Sequence, residues 1–197
     1  MTGDGTRAPA IRAVQTRTLV TLAAALPSEL REAFVRRAGD EALQDASRRF
    51  ALAWFPMAEH MRLCSALFDV VGRDRFLMMF RDTFQATIET PMLRGFFSML
   101  RRMSDDSGAA LLRNAPRIYS YVTRDAGKLR HLARGPGDGV VELHDWPSRE
   151  FAYEVWVTGT QGCILGALRG AGLGDSVEVT VVDHNERAGF AAYQVRW

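Results

Sequence analysis

Residues 128–146, KLRHLARGPGDGVVELHDW, hold the pattern that determines the fold of the C-terminal half of the chain. Residues 128–134 are predicted to form a short strand, and the turn GPGDG at 135–139 interrupts regular structure. Beyond the turn, the residues at 141, 143 and 145 alternate with those at 142, 144 and 146. This alternation predicts a β-hairpin.

The segments that follow the hairpin predict one helix and then two further strands. The helix is expected to begin at Pro147 and to end near Arg169. Apolar residues then recur at every second position in two segments: Val177, Val179 and Val181, and Tyr193, Val195 and Trp197. The order strand–strand–helix–strand–strand predicts a four-stranded antiparallel sheet with helices packed on one side.

The first two-thirds of the chain is predicted to be helical. One helix should start at Pro27 and end at Gly39, and another should start at Pro56 and end at Gly72. A further helix is indicated by apolar residues at every fourth position: Phe76, Phe80, Phe84 and Ile88. The fold class is therefore α+β. We expect a single domain over residues 18–197, preceded by a flexible N-terminal arm at 1–17.

The bulk composition excludes several classes of protein. The chain has 197 residues, a net charge of +2 and 47% hydrophobic residues, which is ordinary for a globular domain. No basic run indicates a nucleic-acid partner, and no stretch reaches the roughly 20 apolar residues of a membrane span. Cys64 and Cys163 lie far apart in the sequence, which favours a reducing compartment, and we expect a cytoplasmic protein.

No motif indicates catalysis or a metal site. His60 and Cys64 are four residues apart and would supply half of a zinc site, but a packed helix face is the simpler interpretation. Residues 159–166 superficially resemble a phosphate-binding loop but lack its Lys-Ser/Thr pair. We therefore expect no enzyme activity, no metal and no cofactor.

Glycines in the predicted C-terminal helix fall on one face. They are Gly159, Gly162, Gly166 and Gly170. A face without side chains allows a close backbone approach. We expect it to pack against the sheet or a second subunit.

The middle of the chain is rich in phenylalanine and methionine between residues 76 and 103. Such residues form irregular cores, but they also line adaptable apolar pockets. The candidate ligand-binding or interface residues are Cys64, Phe68, Phe76, Met79, Phe80, Phe84, Phe96 and Trp156.

Two resemblances to known families add to these expectations. The run GRDRF at 72–76, followed by Phe80, Thr83 and Phe84, resembles a helix of a paralogous myxobacterial family of unknown function. The C-terminal half is similar to the group that contains the TRAPP subunits, the 4-vinyl-reductase (4VR) domain and the haem–nitric-oxide-binding domain. That similarity implies helices against an antiparallel sheet, with small-molecule sensing or scaffolding, often as dimers.

The chain departs from the cofactor-binding branches of that group. The haem branch has a proximal histidine in its helical region and a Tyr-x-Ser-x-Arg run. Here no histidine lies between His60 and His131, and YSYVTR at 119–124 does not match the run. The 4VR branch has several C-terminal cysteines, whereas only Cys163 is present there. In some TRAPP subunits a cysteine on a helix carries an acyl chain in an apolar tunnel. If this chain shared that property, Cys64 would be the corresponding residue.

Three functions remain open at this point. The favoured one is a non-catalytic protein–protein adaptor that forms a homodimer through the Phe/Met-rich helices, as in signalling. The alternative is a sensor domain that binds a small hydrophobic ligand between these helices and the sheet. An enzyme is the least favoured, since active sites can be assembled from residues far apart in sequence.

Overall fold

The computed structural model describes residues 8–88, 94–95, 97–99, 106–147 and 151–197. Its longer helices are α1 (Ala13–Ala24), α2 (Ser28–Ala38), α3 (Asp40–Arg48), α4 (Met57–Val71), α5 (Arg73–Ile88), α6 (Ser107–Val122) and α7 (Tyr153–Gly170). Its strands are β1 (Ala10–Arg12), β2 (Trp54–Pro56), β3 (Thr123–Arg124), β4 (Lys128–Gly135), β5 (Asp138–His144), β6 (Glu178–Asn185) and β7 (Phe190–Arg196). The α+β fold class is confirmed.

The predicted four-stranded antiparallel sheet is present, with the strand order β4-β5-β7-β6. The hairpin of β4 and β5 is tighter than expected, because Gly135 and Asp138 belong to the strands and pair with each other. Gly137 occupies the turn with a φ of 69°, which glycine adopts without strain. The inner face of the sheet packs against α7, where the fully buried Tyr193 donates a hydrogen bond to the carbonyl of Val157 at 3.2 Å.

A second sheet of three short strands, ordered β2-β1-β3, was not predicted. Residues 10–17, which we assigned to an N-terminal arm, lie in β1 and in the first turns of α1. Ala10 and Ile11 are buried, so burial of apolar surface holds this segment against the fold. The predicted start at residue 18 therefore falls inside α1, while the single-domain organisation stays a prediction.

Other differences concern where helices begin. Helix α7 begins at Tyr153 and not at Pro147; Phe151 and Ala152 are outside it. The step at Trp54–Pro56 is a strand, and α4 begins directly after it. Helix α3 was not predicted. None of the helices in the described part of the chain is long and apolar enough to cross a bilayer.

The glycine face of α7 packs against α5. A Cβ at Gly162 would lie 2.4 Å from the carbonyl oxygen of Leu77, and one at Gly166 would lie 2.3 Å from that of Arg81. The later glycine on α7 meets the later residue on α5, so the two helices run in the same direction. The predicted close packing is confirmed, but its partner is α5 and not the sheet or a second subunit.

Candidate functional site

An apolar cavity of about 90 Å³ lies among α1, α5, α6 and α7. Helix α6 supplies one wall through Leu111, Leu112, Ala115, Ile118, Tyr119 and Val122. Helix α7 supplies the opposite wall through Trp156, Gly159, Thr160, Cys163, Ile164 and Ala167. The remaining described lining residues are Ile11, Gln15, Leu19, His60, Phe80, Thr83, Phe84, Thr123 and Leu129. None of these residues is acidic, lysine or arginine, so the described wall is suited to neutral, apolar molecules.

The structure brings three of the sequence-predicted candidates to this cavity. Phe80 and Phe84 project from successive turns of α5, because a spacing of four places both side chains on one helix face. Trp156 faces them from the start of α7. Their role in binding is a proposal that rests on this placement.

Four other candidates, of which Phe68 is only half-buried, lie in or against the core and not among the described residues of the cavity wall. Phe76 is fully buried, with its ring centroid 5.1 Å from that of Phe68 and 4.5 Å from that of Phe80. Met79 and Cys64 are buried as well. Phe96 lies outside the described residues. The Phe68 and Phe76 rings meet edge to face and the Phe76 and Phe80 rings are tilted, at spacings typical of aromatic pairs, so Phe68 and Phe76 support Phe80 in the cavity wall.

His60 forms a buried polar cluster at the cavity wall. Its Nδ1 lies 2.9 Å from the hydroxyl of Thr16, and its Nε2 lies 3.3 Å from the sulfur of Cys64. Burial lowers the pKa of His60 to about 4 and raises the pKa of the Cys64 thiol. Both groups are therefore neutral near pH 7. Within the described ranges, no three His, Cys, Asp or Glu side chains are grouped closely enough to hold a metal ion.

The other ionisable groups of the wall are also neutral. Burial raises the pKa of the Cys163 thiol to about 12, so the reactive thiolate form is suppressed. Burial likewise raises the pKa of Tyr119, whose hydroxyl donates a hydrogen bond to the carbonyl of Ala126 at 2.6 Å. The described lining residues therefore offer neither a charged base nor an activated nucleophile.

The α6 wall was missed by sequence reasoning. Leu111, Leu112 and Ile118 are buried and mark one apolar face of α6, but the same pattern describes any core helix. The closely packed glycine face of α7 was the available signal. It draws α7 onto α5, and the adjacent side of α7, which includes Gly159, lines the cavity.

The two histidines of the hairpin, His131 and His144, are not opposite each other. The register sets His131 opposite Val141 and His144 opposite Lys128. His144 instead lies 3.0 Å from a carboxylate oxygen of Glu142 on its own strand.

Comparison with known proteins identifies the fold. No protein-family profile matches the chain, and no curated protein matches it in sequence. The unliganded Fe(II) H-NOX protein from K. algicida superposes with a TM-score of 0.62 at 10% identity, over 94% of this chain and 96% of that one. A Cs H-NOX mutant gives 0.58 at 14% identity, over 94% and 95%. An oxygen-binding H-NOX domain related to soluble guanylate cyclases gives 0.54 at 15% identity, over 93% and 89%.

These similarities show that the chain has an H-NOX-like fold over nearly its whole length. They agree with the haem–nitric-oxide-binding branch of the predicted fold group. The resemblance to a myxobacterial family stays a prediction. At these identities, function must be argued from the residues of the site itself.

Proposed function

We propose that this protein is a sensor domain that binds a small, neutral, mostly apolar molecule in the cavity between α6 and α7. The observation that carries the proposal is the cavity itself, which is recessed and is lined without any charged side chain among its described residues. Cavities of this kind bind apolar molecules and rare-gas atoms because they offer few partners to water. The H-NOX neighbours, one of which binds oxygen, support a ligand-binding domain over an adaptor.

The described residues of the cavity do not fit haem. Pockets for ligands of ordinary drug size measure about 300–1,000 Å³, whereas this cavity measures about 90 Å³. Haem iron is held by His, Cys thiolate, Met or Tyr. His60 uses both ring nitrogens, burial disfavours the thiolate of Cys163 by raising its pKa to about 12, and Tyr119 donates to Ala126. The ligand is therefore proposed to bind the polypeptide directly.

The adaptor hypothesis has less support. It requires the phenylalanines of α5 to be available to a partner, but Phe76, Phe80 and Phe84 are buried within the fold. Met78 and Met99 are exposed at 41% and 48%, and they are the methionines that such an interface would use. Homodimerisation, a role in signalling and a cytoplasmic location stay predictions.

Xenon binding followed by nuclear magnetic resonance tests the proposal. Xenon is an uncharged apolar probe that occupies cavities of this size class. In the wild-type protein, increasing xenon pressure should give saturable shifts of methyl signals from residues such as Leu111 and Ile164. The variant Ala115→Leu adds three carbon atoms to the wall of the cavity and should abolish these shifts.

A matched control lies on the same helix. Ala109→Leu makes the same change at a residue outside the described lining and should leave the xenon shifts unchanged. Native mass spectrometry of protein from a bacterial host then looks for a retained natural ligand. Equal xenon shifts in all three proteins, or no shifts in the wild type, would refute the proposal.

A further inference from the structure

Gln15 presents a buried donor to the cavity. This residue lies in the first turn of α1, its side chain is only 5% exposed, and it contributes to the cavity lining. Its Nε2 is fully buried and has no hydrogen-bond partner. A buried polar group without a partner is costly, so such a group in a binding site marks a place where an acceptor is expected.

Trp156 presents a second donor in the same cavity. Its side chain is 6% exposed and its Nε1 makes no aligned hydrogen bond. The Tyr119 hydroxyl, whose pKa is raised chiefly by burial, lies near this nitrogen. An indole nitrogen can only donate, whereas the orientation of a glutamine amide depends on its partners. Trp156 therefore also indicates that the missing partner is an acceptor.

The other hydrogen-bonding side chains of the described wall, apart from the neutral Cys163 thiol, already have partners. These are His60, Thr83, Tyr119, Thr123 and Thr160. The described wall thus holds two buried donors without an aligned partner, Gln15 Nε2 and Trp156 Nε1. It also has no charged residue among those described, so it does not balance the charge of an ion.

We infer that the ligand is a small neutral molecule with an apolar body and one hydrogen-bond acceptor, which the side-chain amide of Gln15 holds. This inference rests on the proposed function and names the class of its ligand. The apolar body fills the space between Phe80, Phe84 and α6. The acceptor, such as an ether or carbonyl oxygen, lies at the α1 side of the cavity.

A pair of probes of nearly equal size tests this inference. Tetrahydrofuran and cyclopentane differ mainly in one ether oxygen. We compare their dissociation constants in the wild type and in Gln15→Leu by thermal-shift titration, which reports binding because a ligand stabilises only the folded state. The preference for tetrahydrofuran over cyclopentane should fall about tenfold in Gln15→Leu, since one net hydrogen bond is lost.

The control variant is Gln161→Leu. Gln161 is on α7, is absent from the described lining and donates to the carbonyl of Val179 at 2.7 Å, so the probe preference should not change. Gln15→Leu should fold normally, because it removes an unpartnered polar group from an apolar site. Xenon should still bind this variant.

The outcomes separate the two proposals. Absence of xenon binding in the wild type would overturn the proposed function. Xenon binding with the same tetrahydrofuran preference in the wild type and Gln15→Leu would overturn the role of Gln15 alone. That second result is also expected if Gln15 only holds a buried water.

Discussion

Replacing Gly166 with alanine tests the close contact between α5 and α7. The new methyl group would lie 2.3 Å from the carbonyl oxygen of Arg81. Cβ atoms in proteins essentially never come closer than 3.0 Å to such an atom. The obstacle is the backbone of a buried helix, so no side chain can rotate away. The two helices would have to separate, and α7 would move relative to the cavity that it lines.

The expected change in stability combines two opposing effects. Overpacking a well-packed core costs about 1–3 kcal/mol, and a backbone obstacle favours the upper end of that range. Alanine in place of glycine in a helix returns about 1 kcal/mol. The net loss should be about 2 kcal/mol, which corresponds to a decrease in Tm of about 4–8 °C for a chain of this length.

Urea unfolding followed by far-UV circular dichroism measures this change, with two alanine variants for comparison. Gly170→Ala would meet only the flexible end of Ile88, at 2.8 Å, and should cost less. Gly95 is helical with open space around it, so Gly95→Ala should stabilise the protein by up to about 1 kcal/mol. If Gly166→Ala is as stable as the wild type, the packing argument for α5 and α7 is wrong.

Further predictions concern buried and capping groups. His60 has a pKa of about 4 in the fold against an ordinary 6.5, so its protonation favours unfolding. Between pH 6.5 and 4, the wild type should therefore lose about 3 kcal/mol more than His60→Gln, as judged by urea unfolding at each pH. Asp106 caps α6 by accepting from the backbone N–H of Ala109 at 2.8 Å and also accepts from the indole of Trp197. Asp106→Ala should cost about 1 kcal/mol in chemical denaturation at pH 7. The pKa of Asp106 is lowered chiefly by the backbone hydrogen bond from Ala109. The stabilisation by the Asp106 carboxylate is therefore present above the ordinary pKa of 3.8 and declines as the pH falls below it. Equal acid sensitivity of the wild type and Asp106→Asn would contradict this. Tyr193→Phe should cost about 1 kcal/mol, since the hydrogen bond to Val157 is lost; an unchanged urea midpoint would contradict it.

The C-terminal half of the fold was predictable because its signals are local. Alternation along 141–146, the glycine-rich turn and the valine strand each act within a few residues, and together they specify an antiparallel sheet. Gly39 and Gly72 ended their helices as predicted, since glycine adopts the positive φ at these positions without strain. The α+β class follows from such patterns.

The candidate site was predicted only in part. Periodicity placed Phe80 and Phe84 on one apolar face of a helix, but it gave the same weight to Phe76, which packs inside the core. Apolar residues at helical spacing indicate that a side chain is buried, but they do not indicate which residues it packs against. Gln15 gave no signal, because its segment was assigned to an arm that in fact contributes to β1 and α1.

The sequence by itself determined the order of the C-terminal elements, their antiparallel pairing and the glycine face of α7. Only the tertiary structure decided that this face packs against α5 and that residues 10–12 form β1 between β2 and β3. It also decided that Gln15 and Trp156 line the same cavity. The physical reason is the separation in sequence between the residues that each feature depends on. Turns, caps and alternation depend on neighbouring residues, whereas a cavity exists only where distant elements fail to fill the space between them.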